Sequence, residues 1–362
     1  MYKIGNLELA YEPHIMFTSD ETFLMAREPV FRRMPDGSLL AVIYTGGPFE
    51  PHIENVVAVI RSTDDGASWS KPEVLFKHPF RACWGSELFT ECENPFIVFQ
   101  TFDPSSYYRE ITSFISCTRD SGKTWSEPET FHGISSHFSC RQGRKLSDGS
   151  IIFPVYWQEV CRNWNYASRD SIEPFACGTV RSTDAGKTWK LHGNSSFDPE
   201  HRLWEPDLIE TAPGKLRMFM RCDEAPEHCL WESESSDYGC TWSKPVPGPI
   251  SNPGTKFTFM KVRDKWVCFN NPVEGDSPSS RHLLEMLVSD DGKHWQKKAE
   301  LARADLSTFG NSNDFWQKKD NAFRQITYPH GFADDRMGYV YLALDCIYKF
   351  FMIKIPYNDI LN

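Results

Sequence analysis

The chain has 362 residues, of which 40% are hydrophobic and 14% aromatic, and its formal net charge at pH 7 is −10. This apolar content is enough for a packed core and argues against a disordered chain, and the length fits two average domains or one large repeat array. The acidic balance argues against a nucleic-acid-binding surface, which needs clustered Lys and Arg, although a local Arg cluster can still bind a small anion.

The N-terminal segment, residues 1–17, has no basic stretch followed by an apolar stretch, and therefore predicts no signal peptide. The chain contains no run of about 18 apolar residues, so no membrane partner is expected. Its eleven cysteines are an odd number without CxxC pairs, which favours free thiols in a reducing compartment over a disulfide framework. We therefore expect a cytoplasmic protein.

One short pattern recurs five times along the chain: an Asp, a Gly two residues later and a Trp three residues beyond the Gly. The Asp residues of the five copies lie between 53 and 64 residues apart, and they are Asp64, Asp120, Asp184, Asp237 and Asp290. A period of this size indicates repeated supersecondary units. Because Asp and Ser favour turns and Gly adopts positive φ, each copy predicts a hairpin turn that its Trp covers.

A short apolar run precedes each of these turns, and further strand signals lie between them. The runs before the turns are residues 55–61, 111–117, 177–181, 229–234 and 282–287, and those between them include 37–44, 149–156, 214–220 and 338–344. No long segment keeps a helical period, so the predicted class is all-β. Four strands per unit of roughly 55–60 residues predict propeller blades. With a last blade built from the C-terminal strands and the N-terminal strand, the sequence predicts a single six-bladed β-propeller domain over residues 1–362.

The repeated turn, Ser-x-Asp-x-Gly-x-x-Trp, resembles the Asp-box, or BNR repeat, of the sialidase (neuraminidase) superfamily. This resemblance implies a six-bladed propeller with a central pocket. Asp-boxes are structural, lie on the rim away from the active site and recur in unrelated propellers, so they do not define the function. Sialidases remove a terminal 2-keto acid sugar, whose carboxylate is held by three arginines.

Three arginines of this chain match those carboxylate-binding positions. Arg27 matches the first, followed by Glu28 where the family usually has Ile, and Arg221 matches the second. Arg281, seven residues before the fifth repeat begins, matches the third. Arg stays charged, and its planar fork fits a carboxylate. A single Arg on a propeller strand is more often an ion-pair residue, but three at motif positions favour an anion-binding triad.

Two further positions match the family's nucleophile and base. Glu205 lies sixteen residues before Arg221, at the family's spacing, and Tyr328 precedes a proline ahead of the last predicted strand. The resemblance implies that Tyr328 attacks the sugar and that Glu205 takes its proton. A solvated turn residue is the alternative for Glu205, and a packing residue is the alternative for Tyr328.

The Asp that sialidases use as acid/base has no match. It is expected about two dozen residues after Arg27, and residues 46–55 contain no Asp. The candidates in this loop are Glu50, His52 and Glu54, since either a Glu or a His can donate a proton to a leaving group. This departure marks a divergent branch and puts the substrate or the activity in question.

Other residues have both a functional and a structural interpretation. Arg141 either faces the pocket or forms a structural ion pair. Trp84, Trp157 and Trp164 are candidates for a sugar-stacking surface, although a place in the core or between blades is the commoner one for Trp.

The leading hypothesis is an exo-acting, retaining glycoside hydrolase of the sialidase type, with sialic acid or a related nonulosonic acid as the substrate. One alternative is a hydrolase or lyase acting on another acidic sugar such as a uronate, with His52 as the acid or base. Another is a carbohydrate-binding propeller without catalysis. The chain has no HExxH or paired Cys/His spacing, and the resemblance implies catalysis without a metal or other cofactor.

Overall fold

The computed structural model describes residues 1–106, 110–158, 175–196, 198, 201–223, 228–274, 281–310 and 322–362. Its strands form six antiparallel sheets, which we number as blades I–VI in the chain order of their innermost strands. Each blade contacts the innermost strand of the next blade, and the last blade contacts that of the first, so the six sheets close into a ring. The sequence predictions of an all-β class and of a six-bladed propeller are therefore confirmed.

The first three blades occupy the N-terminal half of the chain. The strands of blade I are Ala26–Arg33, Leu39–Thr45, Val56–Ser62 and Glu73–Phe76. Those of blade II are Ala82–Phe89, Phe96–Phe102, Ile111–Cys117 and Glu129–Thr130. Those of blade III are Ser139–Cys140, Arg144–Lys145, Ile151–Gln158, Phe175–Ser182 and Lys190–Ser196.

The other three blades include both ends of the described chain. The strands of blade IV are Leu203–Ala212, Lys215–Cys222, Cys229–Ser235 and Val246–Ser251. Those of blade V are Thr258–Val262, Lys265–Asn270, Leu283–Ser289 and Gln296–Ala304, extended by Leu7–Leu9 and Tyr2–Ile4. Those of blade VI are Thr327–Asp334, Tyr339–Asp345, Lys349–Pro356 and His14–Thr18.

The N-terminal strands cover two sheet edges. His14–Thr18 pairs with Lys349–Pro356, so blade VI is closed by the N-terminal strand, as the sequence predicts. The hairpin of Tyr2–Ile4 and Leu7–Leu9 pairs with the outer strand of blade V, which the sequence did not predict. Both pairings cover backbone groups that a free edge would expose.

The described part of the chain contains little helix. Its helices are the 3₁₀ turns Pro104–Ser106 and Leu306–Phe309 and the α-helix Tyr357–Leu361. None of these described helices has the length and apolar character needed to cross a membrane.

The hydrophobic core is divided among the interfaces between neighbouring blades. Val42 of blade I packs in one buried cluster with Leu88 of blade II, and Ile60 of blade I packs in another with Met352 of blade VI. Trp84 is 4% exposed and contacts the rings of Tyr44 and Phe102, so it is a core residue and not part of a sugar-stacking surface. Trp157 packs partly buried against another core cluster, and Trp164 lies outside the described residues.

The repeated turns take the hairpin form predicted from their sequence. In the first copy, Ser62 Oγ donates a hydrogen bond to Asp64 Oδ1 at 2.8 Å and accepts one from the backbone N–H of Gly66 at 2.7 Å. The Asp64 carboxylate also accepts bonds from the hydroxyl and backbone N–H of Ser68, and these bonds lower its pKa to about 2. The second, third and fourth copies repeat this arrangement.

The fifth turn departs from the prediction. Its capping carboxylate is that of Asp291, which accepts bonds from Ser289 Oγ at 3.1 Å and from the backbone N–H of His294 at 2.8 Å. Asp290 instead pairs with Lys265 Nζ at 2.6 Å on the surface. The Ser of this copy lies three residues before the Gly, against four in the others, so the turn is one residue shorter and the next Asp caps it.

Candidate active site

Three innermost strands begin with the same local distortion. Glu28 in blade I, Glu205 in blade IV and Tyr328 in blade VI each precede a proline and take a positive φ of 44°, 45° and 48°. The strand register shifts at each of these points, which marks a β-bulge. Positive φ costs a non-Gly residue on the order of 1–3 kcal/mol, and where it occurs outside tight turns it tends to cluster at functional sites. The three side chains lie close together, because Arg141 donates to both Glu28 and Glu205, and Lys256 lies beside both Glu28 and Tyr328.

Arg27 is the most deeply buried of the predicted arginines, with 1% of its surface exposed. Its Nη1 lies 3.4 Å from Asp345 Oδ2 and its Nε lies 3.3 Å from Glu50 Oε1. Burial alone would lower the pKa of Arg27, but the charges of Asp345 and Glu50 outweigh it and raise the pKa. The guanidinium also lies 4.7 Å from the centre of the Tyr328 ring, so the first predicted arginine and the predicted nucleophile are in contact.

Asp345 was not found from the sequence. Its fully buried carboxylate also accepts bonds from the backbone N–H of Glu28 at 3.0 Å and of Ile347 at 2.7 Å, so it orients the strand that carries Arg27. It lies at the end of the second strand of blade VI, where no sequence motif marks it.

Glu205 is held between two guanidinium groups. Arg221 Nη1 donates to Glu205 Oε2 at 2.6 Å, and Arg141 Nη2 donates to Glu205 Oε1. Burial alone would raise the pKa of Glu205, but Arg141 and Arg221 outweigh it and lower the pKa to about 2. Arg221 also donates from Nε to Asp223 Oδ1 at 2.7 Å. The second predicted arginine and the predicted base therefore form one ion-pair cluster.

Arg281 differs from the other two predicted arginines. Its Nη2 donates to the carbonyl oxygen of Gly254 at 3.0 Å, and among the described residues it forms no ion pair with a carboxylate. Burial, together with repulsion from Arg221 and Arg27, lowers the pKa of Arg281, although Tyr328 and Asp223 oppose this change. Gly254 lies against Asp223, the carboxylate that pairs with Arg221, so the Arg281 and Arg221 side chains face the same region.

Tyr328 lies beside these arginines. The backbone N–H of Ile326 donates to the carbonyl oxygen of Arg281 at 2.8 Å, which ties the strand of Tyr328 to the segment of Arg281. Burial and the charge of Glu205 raise the pKa of the Tyr328 hydroxyl, while Arg221 and Arg281 lower it. The hydroxyl is therefore neutral at pH 7 and faces cations that would stabilise a phenolate.

The loop of residues 46–55 brings Glu50 into the site. Asn55 organises this loop, because its Nδ2 donates to the carbonyl oxygen of Gly46 at 2.7 Å and its Oδ1 accepts from the backbone N–H of His52 at 2.6 Å. Gly46 has a φ of 77°, and a Cβ there would lie 2.4 Å from the carbonyl oxygen of Glu54. Burial raises the pKa of Glu50 to about 7 despite Arg27, with Glu28 and Asp345 adding to the rise.

The other two loop candidates lie further out. The His52 side chain is 28% exposed, and its Nδ1 lies 3.6 Å from Glu54 Oε2. Its ring also contacts Phe49, with 5.3 Å between ring centres. The Glu54 side chain is 63% exposed, against 15% for Glu50. Of the three, Glu50 is the one that contacts a predicted arginine.

Three more charged residues, Arg141, Glu28 and Lys256, lie in the candidate site. Arg141 bridges Glu205 and Glu28, since its Nη1 donates to Glu28 Oε2 at 3.0 Å. Lys256 Nζ lies 3.7 Å from the same Glu28 oxygen and 5.9 Å from the centre of the Tyr328 ring. Arg141 thus faces the pocket and is an ion-pair residue at once. No sequence motif indicates Lys256, and for Glu28 the sequence indicates only a departure from the family's usual Ile.

Two cavities beside the innermost strands are lined by described residues. A narrow one of about 10 Å³ adjoins Glu205 and Lys256 and is close to the size of one water. A wider one of about 570 Å³ opens at the far ends of the innermost strands, beside Arg144, Trp266 and Asp334, and contains none of the predicted site residues. Among the described residues no group of three or more His, Cys, Asp and Glu side chains is placed to hold a metal ion.

Comparison with known proteins identifies relatives of this chain. The family described as "BNR repeat-like domain" matches residues 39–342. A sialidase of Bacteroides fragilis is 28% identical over 210 residues, which are 53% of this chain and 35% of the sialidase. The chain therefore spans about a third of the length of that curated relative.

Solved structures share the fold at low sequence identity. A Hadza microbial sialidase superposes with a TM-score of 0.70 at 14% identity, covering 95% of this chain and 68% of its own. A Trypanosoma rangeli sialidase in complex with sialic acid gives a TM-score of 0.69 at 16% identity, covering 96% and 59%. A Dyadobacter fermentans protein of unknown function gives 0.68 at 13% identity, covering 98% and 100%.

Proposed function

The chain belongs to the BNR repeat-like domain family of the sialidase superfamily, and on this premise we propose that it is a retaining exo-glycoside hydrolase that removes a terminal sugar bearing a carboxylate. Sialic acid or a related nonulosonic acid is the proposed sugar. One observation carries the proposal: Arg281 is bonded to the strand of Tyr328 and donates to Gly254 beside the Arg221–Asp223 pair, yet among the described residues it forms no ion pair of its own. A substrate carboxylate would supply that missing partner.

The charge of the cluster supports an anionic ligand. Its five cations and five carboxylates are Arg27, Arg141, Arg221, Arg281, Lys256, Glu28, Glu50, Glu205, Asp223 and Asp345. They balance only when Glu50 is ionised, and its pKa of about 7 means that it is often protonated at neutral pH. A bound carboxylate would then neutralise the remaining positive charge and raise the pKa of Glu50 further.

In the proposed first step, the hydroxyl oxygen of Tyr328 forms a bond to the anomeric carbon while the bond from that carbon to the leaving oxygen breaks. Glu205 takes the hydroxyl proton of Tyr328, and Arg221 and Arg281 stabilise the negative charge that develops on the phenol oxygen. A neutral phenol suits this role because it does not repel the substrate carboxylate.

Glu50 is the proposed proton donor to the leaving oxygen. A general acid works best with a pKa near the operating pH, and Glu50 meets this condition because of its burial. In the second step a water attacks the glycosyl–tyrosine intermediate, the ionised Glu50 takes a proton from that water, and Tyr328 leaves and regains its proton from Glu205. Two successive displacements retain the anomeric configuration.

One observation favours a second candidate function, a carbohydrate-binding propeller without catalysis. Arg141 and Arg221 both hold Glu205, and a carboxylate with a pKa of about 2 is a weak base for a phenol. Such a protein would keep its affinity for the acidic sugar and turn none of it over.

Hydrolysis of methylumbelliferyl glycosides of N-acetylneuraminic acid, its 5-hydroxy counterpart and glucuronic acid tests the proposal. We expect release of fluorophore from a nonulosonic acid glycoside, and a loss of at least about a thousandfold in kcat for Tyr328→Phe. The variant should still bind the unsaturated acid 2-deoxy-2,3-didehydro-N-acetylneuraminic acid, which shows that the site is folded.

The alternatives predict other results. Binding of an acidic sugar by the wild type without turnover of any glycoside would favour the binding protein. Turnover of the glucuronide alone would favour a uronate-specific enzyme. Unchanged activity of Tyr328→Phe would refute the role of Tyr328 as nucleophile.

A further inference from the structure

Two charged side chains of the site have no part in the proposed mechanism. Glu28 and Lys256 are 9% and 7% exposed, and they lie 3.7 Å apart. Burial lowers the pKa of the Lys256 ammonium, while Glu28 opposes this change. Charged groups are rarely buried without a full set of partners, because each unfilled hydrogen-bonding position costs desolvation free energy.

Each of these groups keeps an open hydrogen-bonding position. The Oε2 atom of Glu28 accepts from Arg141 and faces Lys256, whereas Oε1 accepts no hydrogen bond from any described residue. The Lys256 ammonium has three donor hydrogens, and none makes a hydrogen bond within the described part of the chain. An acceptor and a donor are therefore presented side by side.

These open positions lie within a sugar's width of the proposed nucleophile. Lys256 Nζ is 5.9 Å from the centre of the Tyr328 ring, and Arg27, the neighbour of Glu28 in the chain, is 4.7 Å from it. The Glu28 carboxylate belongs to the same group of charges, because Arg141 donates to both Glu28 and Glu205. A sugar whose anomeric carbon is at Tyr328 would therefore bring hydroxyl groups from further round its ring within reach of this pair.

We propose that Glu28 and Lys256 form a hydroxyl-binding subsite that selects acidic sugars with two adjacent hydroxyl groups over sugars in which one of the two is replaced by an N-acetyl group. One hydroxyl donates to Glu28 while its neighbour accepts from Lys256. An N-acetyl group in place of one hydroxyl is larger and ends in a methyl group that cannot form a hydrogen bond, while the cavity beside Lys256 has room for about one water. The charge facing that group would therefore lose its partner, and sites built to bind a hydroxyl discriminate strongly for this reason. This subsite rests on the proposed function, because it assumes that an acidic sugar occupies the site.

Calorimetric titration with two unsaturated acids tests the subsite. The first is 2-deoxy-2,3-didehydro-N-acetylneuraminic acid, and the second carries a hydroxyl in place of its N-acetyl group, adjacent to the neighbouring ring hydroxyl. We expect the wild type to bind the second acid at least about tenfold more tightly. Glu28→Gln and Lys256→Met should each reduce this preference to about twofold or less.

The controls separate this subsite from the carboxylate site and from misfolding. Lys261→Met removes an exposed lysine from the innermost strand of the same blade and should keep the wild-type preference. Both subsite variants should still bind the free acids more tightly than their methyl esters. The comparison of the two acids on the wild type requires no variant, so it holds even if a substitution prevents folding.

Three results would overturn the subsite. The first is equal or tighter binding of the N-acetyl acid by the wild type. The second is equal weakening of both acids in the variants, which would indicate a purely structural pair. The third is no binding of either acid by the wild type, which would refute the proposed function together with the subsite, whereas the first two leave the proposed function standing.

Discussion

Replacing Arg281 with Met should remove recognition of the substrate carboxylate and leave the fold intact. Among the described residues, the side chain of Arg281 makes one hydrogen bond, to the carbonyl oxygen of Gly254, and forms no ion pair with a carboxylate. A hydrogen bond to a charged group contributes about 1.5–3 kcal/mol, and a guanidinium fork can make two to one carboxylate. Allowing for the cost of dehydrating both groups, we expect about 3 kcal/mol, which is roughly a hundredfold in Kd.

The assay compares binding of an unsaturated nonulosonic acid with that of its methyl ester. The wild type should prefer the free acid by about a hundredfold, and Arg281→Met should reduce this ratio to about threefold or less. Arg119→Met is the matched control, because it removes one exposed positive charge from the second repeated turn and should leave the ratio unchanged. The midpoint of urea unfolding checks that Arg281→Met is folded.

Two results would refute this reasoning. If Arg281→Met kept the wild-type preference for the free acid, Arg281 would have no contact with the carboxylate. If the variant lost affinity for acid and ester alike, Arg281 would shape the site without recognising the charge.

Four further predictions follow from the charges described above. Burial raises the pKa of Glu50 from 4.5 to about 7, so wild-type activity should fall as the pH rises through 7. Glu50→Gln should slow the hydrolysis of glycosides with poor leaving groups far more than that of methylumbelliferyl glycosides. The raised pKa of Glu50 also contributes to the stability of the folded state, and this contribution is complete below pH 4.5 and is lost as the pH rises through 7. Urea unfolding should therefore show about 3 kcal/mol of pH-dependent stability that Glu50→Gln removes. Arg27→Met should leave buried Asp345 unpaired and cost about 3–5 kcal/mol in urea unfolding, in contrast to Arg281→Met. Asp291→Ala should lower the unfolding temperature by more than Asp290→Ala, and the reverse order would contradict the register of the fifth turn.

The fold could be predicted from the sequence because its signal is local and repeated. Each turn needs Ser or Thr, Asp and Gly at fixed offsets, and these offsets also gave the blade count. The error at Asp290 shows the limit of this approach. A turn shortened by one residue keeps its Asp-Gly-Trp spacing in the sequence while Asp291 provides the cap.

The site was predictable only where side chains follow a motif. Arg27, Arg221 and Arg281 were placed by family spacing, and the structure brings them together around Tyr328. Asp345 and Lys256 could not be found, because a buried partner is specified by contacts between blades that are far apart in the sequence. The proline that follows Glu28, Glu205 and Tyr328 alike is a sequence signal for this site, because all three residues share one bulged geometry.

Covalent trapping tests the central claim most directly. A 2,3-difluorinated nonulosonic acid slows the second step of a retaining enzyme, so the glycosyl–tyrosine intermediate should accumulate and add one sugar mass to the intact protein. Peptide mapping should place this mass on Tyr328, and Tyr328→Phe should take up none. An adduct on another residue, or hydrolysis of a sialoside without any adduct, would contradict the account.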